Sequence, residues 1–258
     1  MHFYRLVRMK TSFGIDVGGS GIKGAIVDLN AGDFVGDRIK ISTPKPATPE
    51  AVAETVKEIV KQAQWEGPLG ITLPSIVKEQ TVLSAANIDK SWIGVDAYEL
   101  FHRHLGKDRH ISVLNDADAA GLAEVEFGGE KACEGNVIFL TIGTGIGSAF
   151  LMNGTLWPNT ELGHLIVGQD EAEHQASSAA KEELDLSFKH WAKLVDKVLH
   201  EYEALFSPDM FIIGGGISRR FEKWGPHLTV KTPVEPAHLR NKAGIIGAAM
   251  AISLDIAP

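Results

Sequence analysis

Several short stretches of this sequence carry residue types that could handle phosphate. Asp16-Val17-Gly18-Gly19-Ser20-Gly21-Ile22-Lys23 sets a carboxylate, a glycine turn, a hydroxyl and an ammonium close together. Without Cβ atoms, the N–H groups of such a turn can close on phosphate oxygens. Ser20 adds a donor, Lys23 a point charge, and Asp16 could hold Mg²⁺ directly or through water. Thr141-Ile142-Gly143-Thr144-Gly145-Ile146-Gly147 offers the same chemistry, and Gly214-Gly215-Gly216 suits close approach of a flat or anionic ligand. Alone, each is only a turn. Three of them, each ending an apolar run, point to a phosphate ligand.

A phosphoryl acceptor also needs a base. Asp116 follows the apolar run Ile111–Leu114 and stands where a helix should begin, so it could take a proton from a hydroxyl. The ordinary use of such an Asp is as a helix N-cap. Glu161 and His164, three apart in Glu161-Leu162-Gly163-His164, could converge on one small polar ligand or simply form a surface turn. Asn87, in Ala85-Ala86-Asn87-Ile88-Asp89, is equally ambiguous.

Three familiar motifs fail. Gly19 to Gly24 matches GxGxxG, but Ala25-Ile26-Val27 follows and favours a strand, where a dinucleotide fold needs a helix. Ala25 also stands where a Walker loop needs Lys. The run from Asp116 echoes a calcium loop but lacks oxygen ligands at the fifth and twelfth positions.

The elements that would position these residues are legible as periodicity. Phe13, Ile15 and Val17 alternate as a strand, Ile22 to Asp28 returns, and Asp33 to Ile41 adds a third. After a proline-rich loop, Val52, Val56, Ile59, Val60 and Ala63 recur at helical spacing. Strands are expected at 70–73, 111–114, 137–142, 148–152 and 211–213, helix over 177–205 and after Gly216, and a buried helix from Ala243 to Leu254. The strand–glycine turn–strand unit occurs twice, which predicts two related α/β halves with both turns at one cleft.

The 258 residues are 44% hydrophobic and carry a net charge of −8, enough for a real core but with no global basic field for nucleic acid. Cys133 is the only cysteine, which rules out an internal disulfide or a cysteine zinc cage. No apolar run has the length of a membrane span, and residues 1–12 read as a ragged arm rather than a signal peptide.

Taken together, Asp16 to Ser20, Asn115-Asp116, Thr141 to Gly147, Glu161 to His164 and Phe211 to Gly216 resemble the ROK family in order and spacing, over nearly the whole chain after residue 12. The resemblance implies a two-domain actin-like ATPase (ribonuclease H-like) α/β fold with a deep cleft. A small domain, 12–115, would be completed by the helix at 243–256, and a large domain would span 116–242. It implies a sugar kinase. Asp116 would act on the 6-hydroxyl, Asn115 would orient the sugar, and Asn87, Glu161 and His164 would bind its other hydroxyls. Gly18, Gly19, Ser20 and Lys23 would hold donor phosphates, with Thr141, Gly143, Thr144 and Gly145 opposite and Gly214 to Gly216 against a nucleotide. Asp16 would hold Mg²⁺.

One departure narrows the subgroup. Where many ROK proteins carry zinc cysteines after the Glu-x-Gly-His element, this chain reads Gln175-Ala-Ser-Ser-Ala-Ala-Lys-Glu-Glu. No zinc is therefore expected, His164 keeps a sugar role, and the additional sugar-binding glutamate is assigned to Glu182, with Glu183 next to it. SAANIDKSW (84–92) and LFSPDMFIIGGGISR (205–219) resemble the polyphosphate-dependent glucokinases of this family. That implies a cytoplasmic homodimer transferring phosphate from polyphosphate to glucose, with ATP as donor and mannose as acceptor left open. Lys23, Arg219, Arg220 and Lys223 are candidates for the polyphosphate track. The rivals are a strictly ATP-dependent ROK hexokinase and a non-catalytic sugar sensor.

Overall fold

The computed structural model describes residues 10–86, 88–129, 132 and 134–256. Asn87 and Cys133 lie outside the described residues, so the sugar contact expected of Asn87 has no structural account. The chain forms two compact units. One holds the described residues up to Ala123 and those from Lys242 onward; the other spans Glu124–Asn241. The division thus falls after residue 123 rather than 115, because most of the helix beginning at Asp116 packs with the first unit, which is not the smaller of the two.

In the first unit, β1 (Thr11–Val17) and β2 (Ile22–Asp28) pair antiparallel across the first glycine turn, with Asp16 opposite Lys23. The strand expected over 33–41 is two short ones, β3 (Asp33–Phe34) and β4 (Ile39–Ile41), separated where Gly36 takes φ +81°. Both pair with β2. Helix α1 (Pro49–Gln62) starts at Thr48, whose hydroxyl accepts the Ala51 N–H, and proline suits its first turn. It buries Val52, Val56, Ile59 and Val60. Strand β5 (Leu69–Leu73) runs parallel to β1. A small hairpin of β6 (Val77–Lys78) and β7 (Thr81–Val82) leads to α2 (Ala97–Leu105). Then β8 (Ile111–Asn115) joins β5 in parallel and feeds α3 (Asp116–Phe127). The sheet order is β3-β2-β1-β5-β8.

The second unit repeats the plan. β9 (Asn136–Ile142) and β10 (Ile146–Met152) pair across the second glycine turn, and β11 (Thr155–Trp157) extends the sheet. A hairpin of β12 (Ile166–Val167) and β13 (Asp170–Glu171) precedes α4 (Ala172–Ala176), α5 (Ser178–Glu183) and α6 (Phe188–Phe206). The single helical run expected over 177–205 breaks because Asp185 adopts φ +46° and Ser187 caps a new start, accepting the His190 N–H. β14 (Met210–Gly214) lies parallel to β9. After the Gly214–Gly216 run comes a 3₁₀ turn, Gly216–Arg220, then only the four-residue α7 (Phe221–Trp224), before β15 (Val234–Pro236). The sheet order is β11-β10-β9-β14-β15. Trp191, Trp224, Tyr202 and Phe211 are fully buried in this core.

The chain then returns to the first unit as α8 (Ala243–Ser253), apolar on every side as befits a buried helix. It lies on β1 and β5 at backbone contact. A Cβ on Gly14 would sit 1.8 Å from the Ile245 carbonyl oxygen, and one on Gly70 would sit 1.8 Å from that of Ala248. Among the described residues, no helix is long and apolar enough to cross a membrane.

Candidate active site

In each unit the polar residues gather where parallel strands end. β1, β5 and β8 run in one direction, so Asp16, Thr72 and Asn115 lie along one edge of the first sheet. Ligands of α/β folds bind beyond that edge. Asp16 is half-buried. Lys23 Nζ stands 2.7 Å from its Oδ2, and the Thr72 hydroxyl donates to Oδ1 at 3.4 Å. The Lys23 ammonium is thus paired with Asp16 rather than standing alone beside the turn. Gly18 donates its N–H to Gly21 at 3.3 Å, and the Thr43 hydroxyl donates to the Gly18 carbonyl. Gly19 and Ser20 are exposed, and a Cβ on Gly19 would touch nothing. The turn therefore offers an open backbone to an anion.

The helix cap expected as the ordinary role of Asp116 belongs to Asn115. Its Oδ1 accepts the N–H groups of Ala117 (2.8 Å) and Asp118 (3.1 Å), and its amide donates to the Ser75 carbonyl at 3.1 Å. At most one amide hydrogen is left for the sugar-orienting role expected of Asn115, which the helix cap accompanies rather than replaces. Asp116 is half-buried at the first position of α3, with Oδ1 2.9 Å from the Ala117 N–H.

In the second unit, the Glu161–His164 turn is stapled down. The Ser148 hydroxyl, buried on β10, donates to the Thr160 carbonyl (2.7 Å) and accepts the Leu162 N–H (3.0 Å). The Tyr202 hydroxyl donates to the Leu162 carbonyl at 2.6 Å, and burial pushes its acidity well below that of free tyrosine. Gly163 packs on β10, where a Cβ would meet the Ile146 carbonyl at 2.1 Å. Neither Ser148 nor Tyr202 stands out in sequence, because each is an ordinary strand or helix residue whose partner is far along the chain. Replacing Ser148 by Ala leaves the Leu162 N–H without its partner. The expected result is a loss of about 1–3 kcal/mol in denaturant unfolding; unchanged stability would remove Ser148 as the staple.

This staple brings Glu161 and His164 together, with Nε2 3.9 Å from Glu161 Oε2. Burial raises the Glu161 pKa, opposed by the charge of His164. A second carboxylate joins them, and it is Glu173, not Glu182. Glu173 Oε1 lies 3.8 Å from His164 Nδ1, and its Oε2 accepts the Ile146 N–H at 3.1 Å. Glu182 and Glu183 are exposed at the end of α5, outside this cluster. Gly145 makes room for Glu173, since a Cβ there would sit 2.4 Å from Oε2. His164 Nδ1 is 2.7 Å from Glu171 Oε2, and that bond raises the imidazole pKa above its ordinary value. His164, Glu171 and Glu173 each offer one ligand atom, all within 4.8 Å of one another.

The glycine turn beside this cluster is open at Gly143, where a Cβ would meet nothing, and Thr144 is exposed. Because β14 runs parallel to β9, with Gly214 opposite Thr141, the Gly214–Gly216 run ends beside that turn. Gly215, at φ +83°, lies on the Ile142 carbonyl, 2.2 Å from where its Cβ would be. Arg219 and Arg220 are exposed on the following 3₁₀ turn. Lys223 Nζ lies 5.7 Å from the Phe188 ring centroid, and Lys181 shares that ring at 4.6 Å. Lys181, distant in sequence, thus joins the cations expected there.

Residues 12–177 fit the model of the ROK family. Polyphosphate glucokinase of Mycobacterium tuberculosis (strain CDC 1551 / Oshkosh) is 56% identical over 94% of this chain and 91% of its own. Among solved structures, inorganic polyphosphate/ATP-glucomannokinase from Arthrobacter sp. strain KM superposes with a TM-score of 0.90 at 46% identity, covering 96% of this chain and all of the other. A glucokinase from Streptomyces griseus, in complex with glucose and AMPPNP, gives a TM-score of 0.78 at 25% identity, covering 93% of this chain and 98% of its own.

Proposed function

This chain belongs to the ROK family, and we propose that it transfers the terminal phosphoryl group of inorganic polyphosphate to the 6-hydroxyl of glucose. Its fold is the two-domain actin-like ATPase fold. One observation carries the reading. In the second unit, a hydroxyl-binding cluster of Glu161, His164 and Glu173 is joined through Glu173 to a glycine turn of the kind that holds phosphate. A non-catalytic scaffold has no use for that junction.

In this reading Asp116 takes the proton of the 6-hydroxyl as its oxygen attacks the terminal phosphorus. The bond to the next phosphate breaks, leaving a polyphosphate one unit shorter. Glu161, His164 and Glu173 bind the other hydroxyls, with Glu173 replacing Glu182 in that role. Backbone N–H groups of Gly19, Ser20, Thr144 and Gly145 hold donor oxygens, while those of Gly18 and Gly143 close their own turns on Gly21 and Gly145. Gly214 to Gly216 would border a nucleotide when ATP is the donor. Asp16, half-buried, ending β1 and steadied by Lys23 and Thr72, fits a cation that keeps most of its water. When bound there, Mg²⁺ would neutralise donor oxygens. Lys181, Arg219, Arg220 and Lys223 supply a cationic surface for the remaining polyanion, as the overall charge of −8 requires a local one. A cytoplasmic homodimer completes the proposal.

Assaying glucose 6-phosphate formation with polyphosphate rigorously freed of nucleotide tests the donor. The expected result is turnover on polyphosphate alone. Turnover with ATP only would replace this reading by a strictly ATP-dependent hexokinase.

A further inference from the structure

We propose that Glu171 is a positioning residue for sugar recognition, holding the His164 ring by its Nδ1 so that Nε2 faces the ligand beside Glu161. The inference rests on the sugar role given to His164 above. The His164 side chain is half exposed, and its short turn leaves the ring free to rotate unless something grips it. Among the described residues, the only carboxylate contact of hydrogen-bond length to the ring is the one to Glu171, at 2.7 Å. With Nδ1–H donated there, Nε2 is the nitrogen that remains for a ligand. At 3.9 Å, Nε2 and Glu161 Oε2 are too far apart to satisfy each other. They are spaced to share one sugar hydroxyl, which would donate to the carboxylate and accept from the ring.

The hairpin that carries Glu171 is built to hold it still. In β12–β13, Ile166 pairs with Glu171 and Val167 with Asp170. The Gln175 amide ties the two strands together, donating to the carbonyls of Val167 (2.8 Å) and Asp170 (2.9 Å). Lys197 also donates to the Val167 carbonyl at 3.2 Å, and the Ala172 N–H closes the base on Leu165 at 2.9 Å. The Glu171 side chain is 31% exposed, so its bond to the ring is only partly screened by water.

The charge state follows from the same geometry. Glu161, Glu171 and Glu173 face His164, and His174 Nε2 stands 4.0 Å from Glu171 Oε2. Hydrogen bonding to Glu171 raises the His164 pKa, so the imidazolium is present below that raised value and is lost as pH climbs through it.

The test uses Glu171→Ala and Glu171→Gln in the full chain. Glucose KM for E171A is expected to rise about 10-fold with kcat within about 2-fold, the pattern of lost uniform binding. E171Q keeps an acceptor oxygen but not the charge. Its KM should lie between the two, and should worsen at lower pH than in the parent. Imidazole NMR without sugar should show a lower His164 pKa in E171Q. Wild-type KM and pH profile in E171Q overturn the proposal, as does activity that a chelator abolishes and zinc restores, since a metal would then hold the ring. An unchanged His164 pKa in E171Q overturns it as well. If E171A does not fold, the E171Q profile and NMR decide alone. His164→Ala separates the premises. If H164A keeps normal glucose KM, the sugar reading of His164 fails; if H164A raises KM and neither Glu171 variant does, only the role of Glu171 fails.

Discussion

Asp116→Asn should lower turnover by about 10²-fold or more while leaving glucose affinity nearly intact. The amide matches the carboxylate in shape and can still accept the Ala117 N–H now taken by Oδ1. It cannot take a proton. The helix start does not depend on this residue, because Asn115 caps α3 through two backbone N–H groups. A melting temperature near that of the parent should therefore accompany the lost turnover. Glucose binding by calorimetry supplies the third measurement. Turnover at the parental rate would remove Asp116 as the base.

The largest stability effect is expected at the C-terminal helix. A Cβ on Gly247 would lie 1.7 Å from the Ala119 carbonyl oxygen of α3, a contact with backbone that no side-chain rotation relieves. Gly247→Val must therefore push α8 away from α3. Overpacking of this kind costs about 1–3 kcal/mol and occasionally more, and the upper end is expected because both partners are helix backbone. That corresponds to a fall in melting temperature of roughly 5–10 °C for a chain of this size. A variant that melts with the parent would mean the helix is not seated as described.

What could be read in the sequence, and what could not, follows the range of the interactions. The hairpins around Gly18 and Gly143 were legible because alternation and a glycine turn are local signals. The apolar helix at 243–253 was legible by composition. The split of 33–41 at Gly36 and of 177–205 at Asp185 depended on single residues taking positive φ, which periodicity does not report. In the site, Asp16 lies near the end of β1, Asp116 at the start of α3, and Glu161 and His164 in one short motif, all recognisable in sequence. Glu173 did not stand out, because it is one of several acidic residues between 170 and 183 and only the fold brings it to Gly145. The glutamate that the resemblance implies after the missing zinc motif is assigned to Glu182, which lies exposed at the end of α5. Lys181 and Lys223 meet on Phe188 for the same reason, through packing between segments that share no local pattern.

The seating of α8 also sets an order of events. The first unit needs a helix made only after the whole of Glu124–Asn241 has been synthesised. While the chain is still leaving the ribosome, β1 and β5 expose the bare glycine groove of Gly14 and Gly70 that α8 will fill. The second unit is continuous in sequence and can close first. The first unit therefore cannot be complete until α8 has been made, whereas the second can close before it.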